Sequence, residues 1–152
     1  MEFGRLFDTS LGLNMDNAKL RAQLIRHEGV VNHAYQDHFG FWTIDVGRLI
    51  DERRGGGLSD DEVMYWLDND INRCAKALQD NLDFFDELNE TQKHALINMA
   101  FQLGVSGLLS FKNTLGLMRS GRYAEAHAEA LKSRWAKQTP NRAAEVASML
   151  EG

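Results

Sequence analysis

Ala95-Leu96-Ile97-Asn98-Met99-Ala100-Phe101-Gln102-Leu103-Gly104 is apolar almost all the way round at helical pitch, and Gly104 ends it. A rod with so little polar surface belongs in the middle of a bundle, which sets the expectation of a mainly α fold. Asn89 stands where its start needs a cap. Asn98 and Gln102 interrupt the apolar surface at i, i+4 spacing, one above the other on one face. Burying an amide without partners costs about 1–3 kcal/mol, so either these two satisfy neighbouring backbone or one of them lines a cleft.

Toward the C-terminus, shorter helices are expected at about Lys112 to Arg119, Tyr123 to Lys132, Ser133 to Lys137 and Pro140 to Leu150, with Pro140 suited to a first turn. Upstream, Ser59-Asp60-Asp61-Glu62 has the spacing of a capping box and should open a helix. Met64, Leu67, Ile71, Cys74, Ala75 and Leu78 would form its apolar stripe, making Cys74 a packing residue rather than a nucleophile. A first helix is expected from about Asp16 to Glu28, capped by Asp16 or Asn14, with Leu20, Leu24 and Ile25 on one face and Gly29 in the left-handed position after its end. Between these helices the period changes to two. In Phe41-Trp42-Thr43-Ile44-Asp45-Val46, residues Trp42, Ile44 and Val46 fall on one face of a strand. The preceding Asp37-His38-Phe39-Gly40 supplies a tight turn, and Tyr35 to Asp37 would pair with Phe41 to Val46 as a hairpin. Gly55-Gly56-Gly57 lacks the Lys-Ser/Thr ending of a phosphate-binding loop and reads as a flexible connection.

The 152 residues, 43% of them hydrophobic, suit one compact domain without a staple. Cys74 is the single cysteine, and no Cys/His cluster has zinc spacing, so neither a disulfide nor a structural metal is expected. His33, His38, His94 and His127 show no ligand spacing, and Trp66, Phe84 and Phe85 read as packing residues. No apolar run approaches the roughly 18 residues needed to span a bilayer, and Met1 to Asn14 lacks the pattern of an export signal. Synthesis in the cytoplasm is therefore expected, with delivery elsewhere left to another agent. A net charge of −5 argues against nucleic acid as a partner. The charge is uneven: Asp51 to Glu90 holds twelve acidic against four basic residues, whereas Lys112 to Arg142 holds seven basic against two acidic. Two solvated helix faces would explain this, and so would a basic segment that steers an anionic polymer.

The most suggestive chemical grouping is Glu28, Asp37 and Thr43: two carboxylates and a hydroxyl at a helix end, a turn and a strand face. A pair of carboxylates cleaves an acetal when one is protonated and the other, ionised, activates water. By itself the pattern is weak, because Asp is a routine turn residue. Its neighbourhood is more specific. Glu28-Gly29, then Tyr35-Gln36-Asp37, then Gly40-Phe41-Trp42-Thr43-Ile44 and Gly47 resemble the catalytic motif of the T-even phage lysozymes, glycoside hydrolase family 24. The segments Ala95 to Gly104 and Lys132-Ser133-Arg134-Trp135-Ala136-Lys137-Gln138-Thr139-Pro140-Asn141-Arg142 are similar to that family's central and C-terminal helices nearly residue for residue, and the match runs from about Leu20 to Leu150.

The resemblance implies a lysozyme-like α+β fold, with a small N-terminal β-hairpin lobe at about residues 30–58. The helical lobe would take in residues 59–152 plus the first helix, after an extension at residues 1–15 that has no evident counterpart. It implies hydrolysis of the β-1,4 bond between N-acetylmuramic acid and N-acetylglucosamine in bacterial peptidoglycan, without cofactor or metal. Glu28 would be the general acid, Asp37 would stabilise positive charge and orient water as the base, and Thr43 would help hold that water, which implies inversion. Arg142 would pair with Glu28. Phe101 and Gln102 would line the saccharide cleft, and Thr139 and Asn141 match the same polar turn. A phage endolysin released through a holin, or a lysozyme carried in a virion, is expected, as a monomer or as part of a larger virion protein. A lytic transglycosylase and a non-catalytic wall-binding or virion structural domain are the alternatives; retained Asp37 and Thr43 disfavour the first and intact Glu28 the second.

The sequence departs from the family pattern in places. Arg48 stands where the family has a His that pairs with a distant Asp, Phe39 replaces a Glu, and the connection over Asp51 to Asp60 is shortened. Asp45 replaces a Gly and by strand period points to the side of Thr43, where it would add negative charge near Asp37 and raise nearby carboxylate pKa values. Asp45→Gly is therefore expected to shift the acid limb of the pH–rate profile; an unchanged limb would refute the effect.

Overall fold

The computed structural model describes residues 15–29, 31–36, 42–45, 48–49 and 59–152, the strands by their backbone. These residues are mainly helical. They fall into two compact units that divide between Asn72 and Arg73. Expectations for residues 1–14, for the turn at Asp37 to Gly40 and for Gly55-Gly56-Gly57 lie outside the described residues.

In the first unit, helix α1 spans Ala18–Glu28. The Oδ1 atom of Asp16 accepts the Ala18 N–H at 3.0 Å, so the expected acceptor meets an orphan donor of the first turn, although the N-cap position itself is Asn17. Leu20 and Leu24 are buried, joined by Gln23, while Ile25 is half-buried. After Glu28 the chain leaves the helix at Gly29, whose φ of 74° and ψ of 154° are not the left-handed helical cap that was expected. This extended, positive-φ region is essentially open to glycine alone. Strands β1 (Val31–Gln36), β2 (Trp42–Asp45) and β3 (Arg48–Leu49) form an antiparallel sheet in the order β1-β2-β3. Tyr35 stands opposite Thr43 and Gln36 opposite Trp42, with an irregularity between Val31 and Tyr35. On the other edge of β2, Thr43 faces Leu49.

Helix α2, Asp60–Asn81, runs through the division between the units. Its capping box forms as the sequence predicts: Ser59 Oγ accepts the Glu62 N–H at 3.2 Å, and Glu62 Oε1 accepts the Ser59 N–H at 3.3 Å. The stripe that it buries keeps Leu67, Ile71, Ala75 and Leu78 as expected and differs at Met64 and Cys74. Val63, Leu67, Ile71, Ala75 and Leu78 are buried, whereas Met64 is 37% exposed and Cys74 half-buried. One residue is about 100° of helix, and Val63, four before Leu67, lies on that face where Met64 lies at its edge.

The second unit is built around α3, Glu90–Leu103, which follows a 3-10 turn at Phe85–Glu87. Asn89 and Gln92 make a reciprocal capping box, and Gln92 Nε2 also donates to the Leu150 carbonyl at 3.0 Å, tying the start of α3 to the C-terminal turn Met149–Glu151. Ala95, Leu96, Ile97, Asn98 and Met99 are fully buried, as expected of a central rod. Gly104 then takes φ 79° and ψ 159° and turns the chain directly into α4, Val105–Leu109, a short helix that the sequence pattern did not reveal. Around this core lie α5 (Lys112–Arg119), α6 (Tyr123–Ala130), α7 (Arg134–Gln138, capped by Ser133) and α8 (Pro140–Ser148).

Burial pushes the Cys74 thiol pKa up, against a smaller opposing effect of Arg73. A raised pKa leaves less thiolate at a given pH, so Cys74 in the native protein should alkylate more slowly at pH 8 than in the urea-unfolded chain; equal rates would contradict this placement.

Candidate active site

Glu28 is the last residue of α1, exposed, with the Gly29 N–H closing the final turn onto the Ile25 carbonyl at 2.8 Å. A helix end followed by a glycine-only conformation presents the carboxyl beside a sharp departure of the chain. Thr43 lies in β2, the central strand, and Asp45 lies two residues further along it. Asp37 falls outside the described residues.

The residues expected in the second unit come together on the polar face of α3. Asn98, with no solvent exposure, accepts at Oδ1 from both Nε and Nη2 of Arg142, at 3.1 and 2.9 Å. The same guanidinium reaches the Asn98 carbonyl at 3.5 Å. One turn along, Gln102 Oε1 accepts the Trp135 indole N–H at 2.8 Å, and its Nε2 donates to Thr139 Oγ1 at 3.3 Å. Thr139 Oγ1 in turn donates to the Trp135 carbonyl at 3.1 Å. The two amides are thus engaged by side chains from the α7–α8 corner. A charged donor satisfies the fully buried Asn98, which would otherwise be costly to bury, and a closed ring of three engages the half-buried Gln102.

Thr139 is both the residue after α7 and the one before α8, with Pro140 opening the next helix. Its carbonyl accepts the Ala143 N–H at 2.9 Å. Asn141 is exposed in the first turn of α8, and Phe101 is half-buried on α3. The corner therefore holds Trp135, Thr139 and Arg142 on one side of α3.

A cavity of about 470 Å³ adjoins this network, with Leu103, Phe111, Thr114, Glu129, Trp135 and Gln138 in its wall. The Phe111 and Trp135 rings meet edge to face, with centroids 5.9 Å apart and planes at 79°. This places an apolar, aromatic surface beside hydrogen-bonding amides, a lining suited to an amphipathic sugar. Exposed Lys112, Lys132 and Arg134 also border it, and Lys132 Nζ lies 3.3 Å from the Glu129 carboxylate. Trp135 and Phe111 were not singled out from the sequence. The signal available for Trp135 is that a buried indole N–H needs an acceptor, and Gln102 offers an amide oxygen on the polar face of α3.

Among the described residues, no group of three His, Cys, Asp or Glu side chains could hold a metal ion. None of the described helices is long and apolar enough to cross a membrane.

The chain belongs to the phage lysozyme family, whose sequence model matches residues 25–149. It is similar to the Dictyostelium discoideum protein described as "Probable T4-type lysozyme 1", at 30% identity over 160 residues that cover 88% of this chain and 94% of the relative. It is also 24% identical to the "Pre-baseplate central spike protein Gp5" of Enterobacteria phage T4, over 88% of this chain but 28% of that protein. Likewise it is 26% identical to the "Peptidoglycan hydrolase gp36" of Pseudomonas phage phiKMV, over 86% of this chain and 15% of that one. The fold is lysozyme-like and the protein is a peptidoglycan-cleaving lysozyme.

Gln102→Leu would strand the Trp135 indole N–H and remove the Thr139 partner. It is expected to cost about 1–3 kcal/mol in urea unfolding, part of which Gln102→Leu/Trp135→Phe should recover. Additive losses would show that the two side chains are not coupled.

Proposed function

We propose that this lysozyme hydrolyses the β-1,4 bond between N-acetylmuramic acid and N-acetylglucosamine by single displacement. In this reading Glu28 donates a proton to the glycosidic oxygen while Asp37, helped by Thr43, directs water at the opposite face of the sugar. For inversion the two carboxyl groups must stand roughly 6.5–9.5 Å apart, leaving space for that water. Arg142, already oriented by Asn98, is read as the partner that steadies Glu28. Phe101, Gln102, Thr139 and Asn141 are read as support for the saccharide. The observation that carries the proposal is the family match over residues 25–149, with Glu28 at the terminus of the first matched helix. The small lobe is read as a β-hairpin unit, supported by the β1–β2 pairing around Tyr35 and Thr43.

Delivery from the host cytoplasm to the wall, through a holin or on a virion, completes the reading. It is supported by relatives that include a phage spike protein and a phage peptidoglycan hydrolase. Lys112, Lys132 and Arg134, exposed beside the cavity, offer the positive face that an anionic wall would meet, despite the net charge of −5.

Glu28→Gln should lower turnover on purified sacculi by about 10²–10⁴-fold while still sedimenting with them, as expected for loss of a general acid. Wild-type product should carry an α-configured reducing end; a retained anomer would exclude single displacement, and a 1,6-anhydro end would show a transglycosylase. Turnover should also fall as salt rises, whereas a flat dependence would remove the steering role of the basic face.

A further inference from the structure

Arg21 Nη1 donates to Asp68 Oδ1 at 2.9 Å, joining α1 to the first half of α2 within one unit. The side chains are 28% and 11% exposed, so Asp68 holds a carboxylate largely out of water and depends on its partner. We infer that Arg21 and Asp68 are positioning residues, whose ion pair sets the rotation of α1 and thereby the direction in which Glu28 is presented.

The geometry of the helix makes the connection. Arg21 and Glu28 are seven residues apart, two turns along the helix and within about 20° of the same stripe. Fixing the azimuth of one therefore fixes that of the other, about 10.5 Å along the axis. α1 has 11 residues, and Asn17 at its start makes no side-chain capping bond. Helices of this length are marginal alone and take their placement from tertiary contacts. Leu20 and Leu24 supply burial, but burial is non-directional and tolerates rotation of the helix. A charge-assisted hydrogen bond is directional. The same stripes carry Asn17, four residues before Arg21, and Asn72, four residues after Asp68. Both are buried, and both have a side-chain oxygen that meets no donor. Of these four polar side chains Arg21 and Asp68 are the matched pair, so their bond favours one rotational setting over its neighbours.

The inference rests on Glu28 acting as the acid, and the test separates the two. kcat and KM are measured on soluble, uncross-linked peptidoglycan for wild type, Arg21→Met, Asp68→Asn, Arg21→Met/Asp68→Leu and Glu28→Gln, at a temperature where every variant is folded. The apolar double variant replaces a buried ion pair with packed side chains, a change that commonly preserves stability. It should recover thermal midpoint relative to either single variant, yet keep kcat about ten- to a hundredfold below wild type with KM nearly unchanged, as misplacement of a reacting group predicts. Recovery of kcat along with the midpoint, or wild-type kcat in the single variants, would overturn the positioning role while leaving the acid reading intact if Glu28→Gln is inactive. An active Glu28→Gln would overturn both.

Discussion

Two amides in the apolar second half of a helix, Asn98 and Gln102, constrain how the helices of the second unit assemble. Asn98 sits fully buried on the central rod α3, where burial removes water as an alternative partner, and half-buried Gln102 lies one turn along. Each is met from the α7–α8 corner: Arg142 on Asn98, Trp135 and Thr139 on Gln102. Hydrophobic burial would accept many settings of these short helices against α3. The directional bonds accept few, so the corner carrying Thr139, Asn141 and Arg142 has a defined orientation.

That economy also explains why the lining of the cavity is mixed. Trp135 is buried, gives its indole N–H to Gln102 and meets Phe111 edge to face, so its polar atom is already satisfied behind the cavity wall. The basic side chains beside it are exposed and make limited demands on the fold, so charge at the rim is separable from packing beneath it.

The first unit is ordered by different means. α1 is short, and its exit at Gly29 uses a backbone region closed to other residues. The sheet places Thr43 on the middle strand, paired on both edges, where its backbone has least freedom to shift. The helix-terminal carboxyl and the central-strand residue that the proposed mechanism uses thereby stand on regular elements rather than on loops.

Local signals in the sequence determined the capping boxes at Ser59 and Asn89, the stop at Gly104 and the central, all-round apolar helix, because each depends on residues within a few positions of one another. The motif around Glu28, Asp37 and Thr43 was legible for the same reason: it lies within a short span whose order and spacing carry the family. The buried face of α2 was legible at Leu67, Ile71, Ala75 and Leu78, but tertiary structure alone decided that Val63 rather than Met64 opens it, since both are apolar and only a partner surface chooses between them. It also decided that α4 exists, a five-residue helix too short to show a period. The partners of Asn98 and Gln102 belong to the same class. A buried amide announces that it needs a partner, but Arg142 lies 44 residues away and Trp135 33, and no local pattern links such distances before the chain has folded.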